Sequence, residues 1–331
     1  MRSIRAISII FIAFLLAAPS ADAESESRTR VTGTGNNLVQ DTVRKASRLR
    51  QAGKPDEAIN VVSNAVKNAA DTHQAQRLRT IEVNLRLGRV LDAGKGKEKL
   101  GKELDALLEH ASGLDKEKAF LFCGRANLRI GNYDEARTLL NRYLEEHPEP
   151  SRRELRQFRE AARKRRGAAK AAGMSHPRLL YRYWATQVLW KVNLVGEPVP
   201  DFELTTLTDK QVTPKSFQGK VLLINIWKSS SPPCTSALPG LKELYRSNQS
   251  EGMVVLGLSL DRSEAALRGF LKEHELPWPQ VHLDEKRQEV SDQFFVQTIP
   301  STYLVDRKGI LRGVDLRGSV LRQKLKEVMG E

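Results

Sequence analysis

This sequence is poor in cysteine, and after its first two dozen residues it has no long apolar run. Two cysteines in 331 residues, Cys123 and Cys234, exclude a disulfide-dense scaffold and a four-cysteine zinc site. They leave room for one reactive thiol, for one disulfide, or for neither. The six histidines, at 73, 110, 147, 176, 274 and 282, are scattered without ligand spacing, so no metal is expected. A Gly-rich phosphate loop and a Ser-His-Asp arrangement are both missing, and no cofactor is expected. Acidic residues are the minority, 40 against 54 Lys plus Arg, a formal net charge of +14. Hydrophobic residues at 40% and charged residues at 28% exclude a low-complexity or collagen-like chain. The length predicts about two domains.

Residues 1–23 have the order of a secretory signal peptide. Arg2 and Arg5 give a positive start, Ile7 to Ala18 an apolar run, and Ala21-Asp22-Ala23 a small-residue cleavage site. The run is about 12 residues, short of the roughly 20 that a membrane span needs. Cleavage after Ala23 would leave a mature chain of net charge +13 with no transmembrane segment, exported to the periplasm, the cell envelope or the medium. Residues 24–36 are polar and rich in Gly and Thr, a predicted flexible linker.

Residues 37–148 carry helical spacing and an internal echo. Ala52-Gly53-Lys54-Pro55-Asp56-Glu57-Ala58 returns as Ile130-Gly131-Asn132-Tyr133-Asp134-Glu135-Ala136, with Leu87-Gly88-Arg89-Val90-Leu91-Asp92-Ala93 between them. The glycines stand 35 and 43 residues apart. Each glycine would end one helix, and the acidic pair would open the next. This pattern resembles the tetratricopeptide repeat, whose period is about 34 residues. The match is good in the first and third units and poor in the middle one. The resemblance implies an all-α solenoid whose concave face takes a protein or peptide partner or packs on the rest of the chain.

Residues 149–192 are expected to be a basic helical connector. Nine basic residues between Arg152 and Lys170, against Glu154 and Glu160, give a net +7. Either this is a solvated helix, or residues 152–170 meet an anionic envelope surface. Phe158 is the single aromatic there, which argues against base stacking, and no nucleic-acid partner is expected. Tyr181, Trp184 and Val188 follow at helical spacing, as a buried stripe.

From residue 193 the pattern becomes α/β. Gly219 to Trp227 is a nearly continuous apolar run, as in a strand covered on both faces. A loop, Cys234, a helix from Thr235 to Arg246, a strand from Met253 to Leu260, a helix from Arg262 to Glu275 and a strand from Ser301 to Asp306 follow in order. A turn at Lys308-Gly309, a further strand and a last helix close the layout.

Three ordered motifs, "GKVLLINIW…PPC", "VVLGLSLD" and "TIPSTYLVDRKG", resemble the TlpA/ResA-like branch of the thioredoxin superfamily, close to the AhpC/TSA redoxins. The resemblance covers residues 193–331. It implies a central mixed sheet with helices on both faces, and thiol–disulfide oxidoreductase activity in cell redox homeostasis. It also implies a cis bond before Pro300, and a substrate groove lined by Trp227, Pro232, Pro233 and Ile299.

The chain departs from the family at the decisive position. The family pattern is W-x-x-W-C-x-x-C, and here Ser230-Ser231-Pro232-Pro233-Cys234 leaves Ser231 where the attacking cysteine would stand. A serine hydroxyl stays protonated, and without a second sulfur the motif cannot cycle as a dithiol. Three readings remain open. The domain is a redox-silent module that binds peptides beside Pro300. Or Cys234 works alone, as a peroxiredoxin-like thiol with Ser231 positioning the peroxide. Or Cys123 resolves Cys234, although Cys123 after Ala119-Phe120-Leu121-Phe122 fits a buried small hydrophobe better.

Overall fold

The computed structural model of the protein describes residues 35–330 apart from 94–96, 110–112 and 167–175. The expected signal peptide at 1–23, most of the expected linker and Lys170 lie outside the described residues. The described chain forms two compact units, residues 1–86 and 87–331.

In the first unit, α1 (Gly35–Gln51) and α2 (Pro55–Lys67) make a helical hairpin, followed by the start of α3 (Thr72–Ala93). α1 begins inside the stretch expected to be linker. The turn is built as the sequence predicts. Gly53 sits at φ +74°, and the Lys54 amide donates to the Leu49 carbonyl at 2.9 Å. Pro55 then opens α2 with Asp56 and Glu57 in its first turn. Val39, Ala46, Ala58, Val62, Ala65 and Leu78 form the shared core.

The middle echo is not a turn. α3 runs unbroken through Gly88 to Ala93. An interior glycine weakens a helix by only about 1 kcal/mol and does not end it. Gly53 is followed by Pro55 at the helix start, and Gly131 by Asn132. Gly88 is followed by Arg89-Val90-Leu91, which continue a helix.

The second unit holds α4 (Lys97–Glu109), α5 (Gly113–Ile130), α6 (Tyr133–Glu146), α7 (Arg152–Arg166) and α8 (Pro177–Asn193). α5 and α6 turn at Gly131, φ +79°. α8 packs on both of them. Its buried stripe is Ala185, Val188, Leu189 and Val192, with Tyr181 and Trp184 only partly covered. The helical region up to residue 148 is therefore divided: its part beyond Arg86 belongs to one compact unit with α8 and the sheet.

The sheet has the order β5-β4-β3-β6-β7. Its strands are β3 (Val221–Trp227), β4 (Met253–Ser259), β5 (Gln280–His282), β6 (Ser301–Val305) and β7 (Leu311–Val314). β3 runs parallel to β4 and antiparallel to β6, so the sheet is mixed. A two-residue pair, β1 (Leu204–Thr205) and β2 (Gln211–Val212), precedes it. All seven residues of β3 are buried, as the apolar run requires. α10 (Leu238–Asn248), α11 (Glu264–Glu273) and α13 (Gly318–Gly330) complete the layers.

Two elements differ from expectation. The helix expected over Thr235–Arg246 is split into α9 (Pro232–Thr235) and α10, because Pro239 has no N–H to carry the ladder across. α12 (Arg287–Gln293) carries one buried apolar residue, Val290, too little for a periodic signal.

The edge strand β7 is covered. Gly196 donates to the Leu311 carbonyl at 2.8 Å, and Leu311 donates back to Glu197 at 2.9 Å. The Val314 amide donates to the Tyr133 hydroxyl at 3.2 Å, which brings the α5–α6 turn onto the same strand.

Candidate functional site

β3 delivers the chain into the loop that holds Ser231 and Cys234. The Ser231 amide turns back to the Lys228 carbonyl at 3.2 Å. The Ser231 carbonyl then accepts from Cys234 at 2.9 Å and from Thr235 at 3.0 Å, so Ser231 is the N-cap residue of α9. Its hydroxyl does not cap the helix; it lowers the pKa of the Cys234 thiol.

Cys234 is 1% exposed and lies in the core with Trp227, Leu238 and Leu241. Burial pushes its thiol above the ordinary range. The Ser231 hydroxyl, the Lys228 backbone and the Arg317 charge pull it down without reversing the shift, and Asp261 adds to the rise. The sulfur is thus held as a thiol, in the state that neither attacks a disulfide nor reduces a peroxide. Cys123 is equally buried, facing the Leu104 carbonyl at 3.5 Å, and both cysteines are free. Desolvation raises the Cys123 thiol as well. The two sulfurs form no resolving pair here.

Trp227 does not line a groove. It is fully buried on the same face of β3 as Val221 and Leu223, and its Nε1 donates to Gln280 Oε1 at 3.2 Å. Strand alternation at the end of a doubly covered strand sends it inward. The other three expected groove residues are nearer the surface: Pro232 and Pro233 are exposed and Ile299 is half-buried. The Ile299–Pro300 bond is cis. The Pro300 carbonyl accepts from Arg317 Nη2 at 2.6 Å.

A residue that sequence reasoning missed fixes this loop. Asp261, 2% exposed just beyond β4, accepts the Ser229 amide at 3.2 Å and the Ser229 hydroxyl at 2.8 Å. It also accepts the Ser259 hydroxyl at 2.7 Å, and its own amide donates to that oxygen at 3.0 Å. His282 Nε2 lies 3.0 Å from the Asp261 carbonyl, and Arg287 Nη2 donates to the same oxygen. The available signal was a lone carboxylate closing the apolar motif "VVLGLSLD".

A second polar cluster joins α8 to the sheet. Lys191 Nζ donates to Asp315 Oδ2 at 2.8 Å and to the Ser301 hydroxyl at 2.6 Å, while Ser301 donates to Asp315 Oδ1 at 2.7 Å. Lys191 also stands 5.0 Å from the centre of the Tyr303 ring. Burial alone would raise the Asp315 carboxyl; the charge and hydrogen bond of Lys191, the Ser301 hydroxyl and the Arg317 charge together outweigh it and hold the group below its ordinary range.

The sequence profile of the AhpC/TSA family matches residues 195–314. The thiol-disulfide oxidoreductase ResA of Bacillus thuringiensis subsp. konkukian is 28% identical over 135 residues, 41% of this chain and 76% of that protein. The C-terminal region is a TlpA/ResA-like thioredoxin domain. The thioredoxin-like protein YneN of Bacillus subtilis is 26% identical over 135 residues, 40% of this chain and 76% of that one. Among solved structures, the thioredoxin domain of a thiol-disulfide oxidoreductase from Bacteroides vulgatus aligns at 25% identity and TM-score 0.38, covering 40% of this chain and 96% of its own. A thiol-disulfide oxidoreductase from Bacteroides fragilis aligns at 28% identity and TM-score 0.37, covering 40% of this chain and 98% of its own. Within this domain Ser231 stands three residues before Cys234.

Proposed function

We propose that this chain is an exported relative of the thiol–disulfide oxidoreductases whose TlpA/ResA-like domain no longer exchanges disulfides and acts as a protein- or peptide-binding module. One observation carries the reading: the only sulfur of the motif is 1% exposed and held protonated, beneath a serine at the N-cap. Disulfide exchange begins with attack by an accessible thiolate and ends when a second thiolate releases the mixed disulfide. Ser231 supplies neither. Binding needs only surface, and the exposed Pro232 and Pro233 with the half-buried Ile299 would supply it. The helical hairpins would supply a second surface, of tetratricopeptide type. Export rests on the order of residues 1–23. Among the described residues no helix is long and apolar enough to cross a membrane.

The test is insulin reduction driven by dithiothreitol, followed by turbidity. The native protein should not accelerate precipitation beyond dithiothreitol alone, and Ser231→Cys should. Acceleration by the native protein that is lost in Cys234→Ala would overturn the reading.

The Ser231 hydroxyl and the Arg317 charge, which both pull the Cys234 thiol down, favour a second reading, a one-cysteine peroxidase. The Cys234 thiol would give up its proton, its sulfur would attack one peroxide oxygen as the O–O bond breaks, and the leaving hydroxide would take up a proton, so that sulfenic acid and water form. Dimedone labelling of Cys234 that depends on peroxide in the folded protein would favour this reading over the first.

A further inference from the structure

α7 concentrates positive charge on one side of itself. Eight of its 15 residues are Arg or Lys, against Glu154 and Glu160, a net charge of +6. Arg152, Arg156, Arg159, Arg163 and Arg166 follow one another at intervals of four, three, four and three residues. At about 100° and 1.5 Å per residue, these positions fall in a stripe roughly 80° wide and about 21 Å long. Arg153 and Lys164 flank it on one side, so seven of the eight basic positions lie on one half of the helix, with Glu160 the one acid among them. Arg165 and Glu154 lie on the other half.

That other half packs inward. Leu155 and Phe158 are half-buried, and the Phe158 ring lies 5.1 Å from the ring of His176, the N-cap residue of α8. Glu154 accepts the Ser151 amide at 2.8 Å while the Ser151 hydroxyl accepts the Glu154 amide at 3.2 Å, a capping box that opens α7. The same carboxylate takes Arg178 Nη1 of α8 at 3.4 Å. On the basic half, the side chains of Arg152, Arg153 and Arg156 are exposed and have no hydrogen bond or ion pair among the described residues. Like charges one turn apart repel, so the row gains when anions are laid along it.

Cations spread over half a helix fit a plane of anions, and the forked donors of guanidinium fit phosphate oxygens. Anionic lipid headgroups supply such a plane and hold polybasic helices by charge. Leu155 and Phe158 already face the protein, so no apolar wedge is left for the acyl region and contact is by charge alone. Phe158, the one aromatic of α7, is taken by His176, which leaves no platform for a nucleic-acid base.

We propose that the arginine face of α7 docks the protein on the phosphate headgroups of an anionic lipid bilayer, lying on the surface without entering it. His176 and Arg178 tie α7 to α8, and Lys191 ties α8 to Asp315, so docking would hold the thioredoxin-like domain beside the bilayer. The proposal does not depend on the chemistry of Cys234.

The experiment sediments the chain from Glu24 onward, the expected mature form, with vesicles of phosphatidylcholine containing one quarter phosphatidylglycerol. Binding is expected at low ionic strength, with release as added sodium chloride screens the charges, and none is expected to phosphatidylcholine alone. Arg156→Gln and Arg163→Gln should each weaken binding about fivefold, and Arg165→Gln, on the other half of the helix, less than about twofold. The triple variant Arg156→Gln/Arg159→Gln/Arg163→Gln should lose at least about thirtyfold with its circular dichroism unchanged. Should the triple variant melt lower, the single substitutions decide. Retention on the vesicles at high salt, or a loss in Arg165→Gln equal to that in Arg163→Gln, would overturn docking by this face. No binding to the vesicles would make α7 a solvated connector, and binding of inorganic polyphosphate without the vesicles would assign the face to a soluble polyanion; either result overturns the proposal.

Discussion

Ser229 anchors the loop that leads into Cys234. Its amide and hydroxyl both end on the Asp261 carboxylate, which anchors the loop over the core where the sulfur lies. Asp261→Ala removes the acceptor of the Ser229 and Ser259 hydroxyls at a buried site. Unmatched buried donors destabilise by about 1–3 kcal/mol each, so a loss of about 2–4 kcal/mol is expected in urea denaturation. The same change should release the loop and speed alkylation of Cys234 by iodoacetamide at pH 8 at least about tenfold, measured in a Cys123→Ser background. Unchanged alkylation at reduced stability would show that the core packing, rather than the loop, shields the sulfur. Substitution of Ser231 by cysteine puts the second sulfur at the same N-cap and tests the chemistry directly.

At the scale of elements, α8 and the β6–β7 corner share one buried ion pair. Asp315→Asn would leave Lys191, 3% exposed, without its counterion, and should cost about 3–5 kcal/mol. Lys191→Met with Asp315→Leu removes both charges together and should recover most of that loss in chemical denaturation. The pH dependence has a fixed sign. Asp315 is held below the ordinary carboxylate value near 3.9, so its contribution is present above that value and fades as pH falls through the lower folded one. A pH titration of the Asp315→Asn variant should therefore lack part of the native loss of stability below about pH 4. Nothing local announces this pair: Lys191 is one of 54 basic residues, and its partner lies 124 positions away. β3, β4 and β6 were legible because they write their burial as apolar runs, and the turns at Gly53 and Gly131 because a positive φ favours glycine there. Ser231 three residues before Cys234 was also plain from the sequence. Burial of Trp227 and Cys234 and the Asp261 anchor come from tertiary packing, which single-residue identities and spacing do not encode.

At the scale of the whole molecule, the AhpC/TSA family match begins at residue 195, but the compact unit does not. It extends back to Leu87, because α8 gives Lys191 to Asp315, the α5–α6 turn gives Tyr133 to Val314, and residues 196–199 run along the edge of β7. A chain cut to residues 193–331 would lose Lys191 and expose the apolar surface around Leu316 and Phe295 that the helices cover. Phe295 meets Trp190 with ring centres 5.3 Å apart. Residues 87–331 keep all of these contacts. The expected outcome is a cooperative thermal transition for 87–331 within a few degrees of the corresponding transition in the full chain. The 193–331 fragment should melt at least about 5 °C lower, since a loss of 1 kcal/mol moves a domain of that size by about 2–4 °C. Equal melting of the two fragments would mean that the helices are merely attached to an autonomous domain. The lower value would mean that helices outside the family match have become part of the structure of this thioredoxin-like fold.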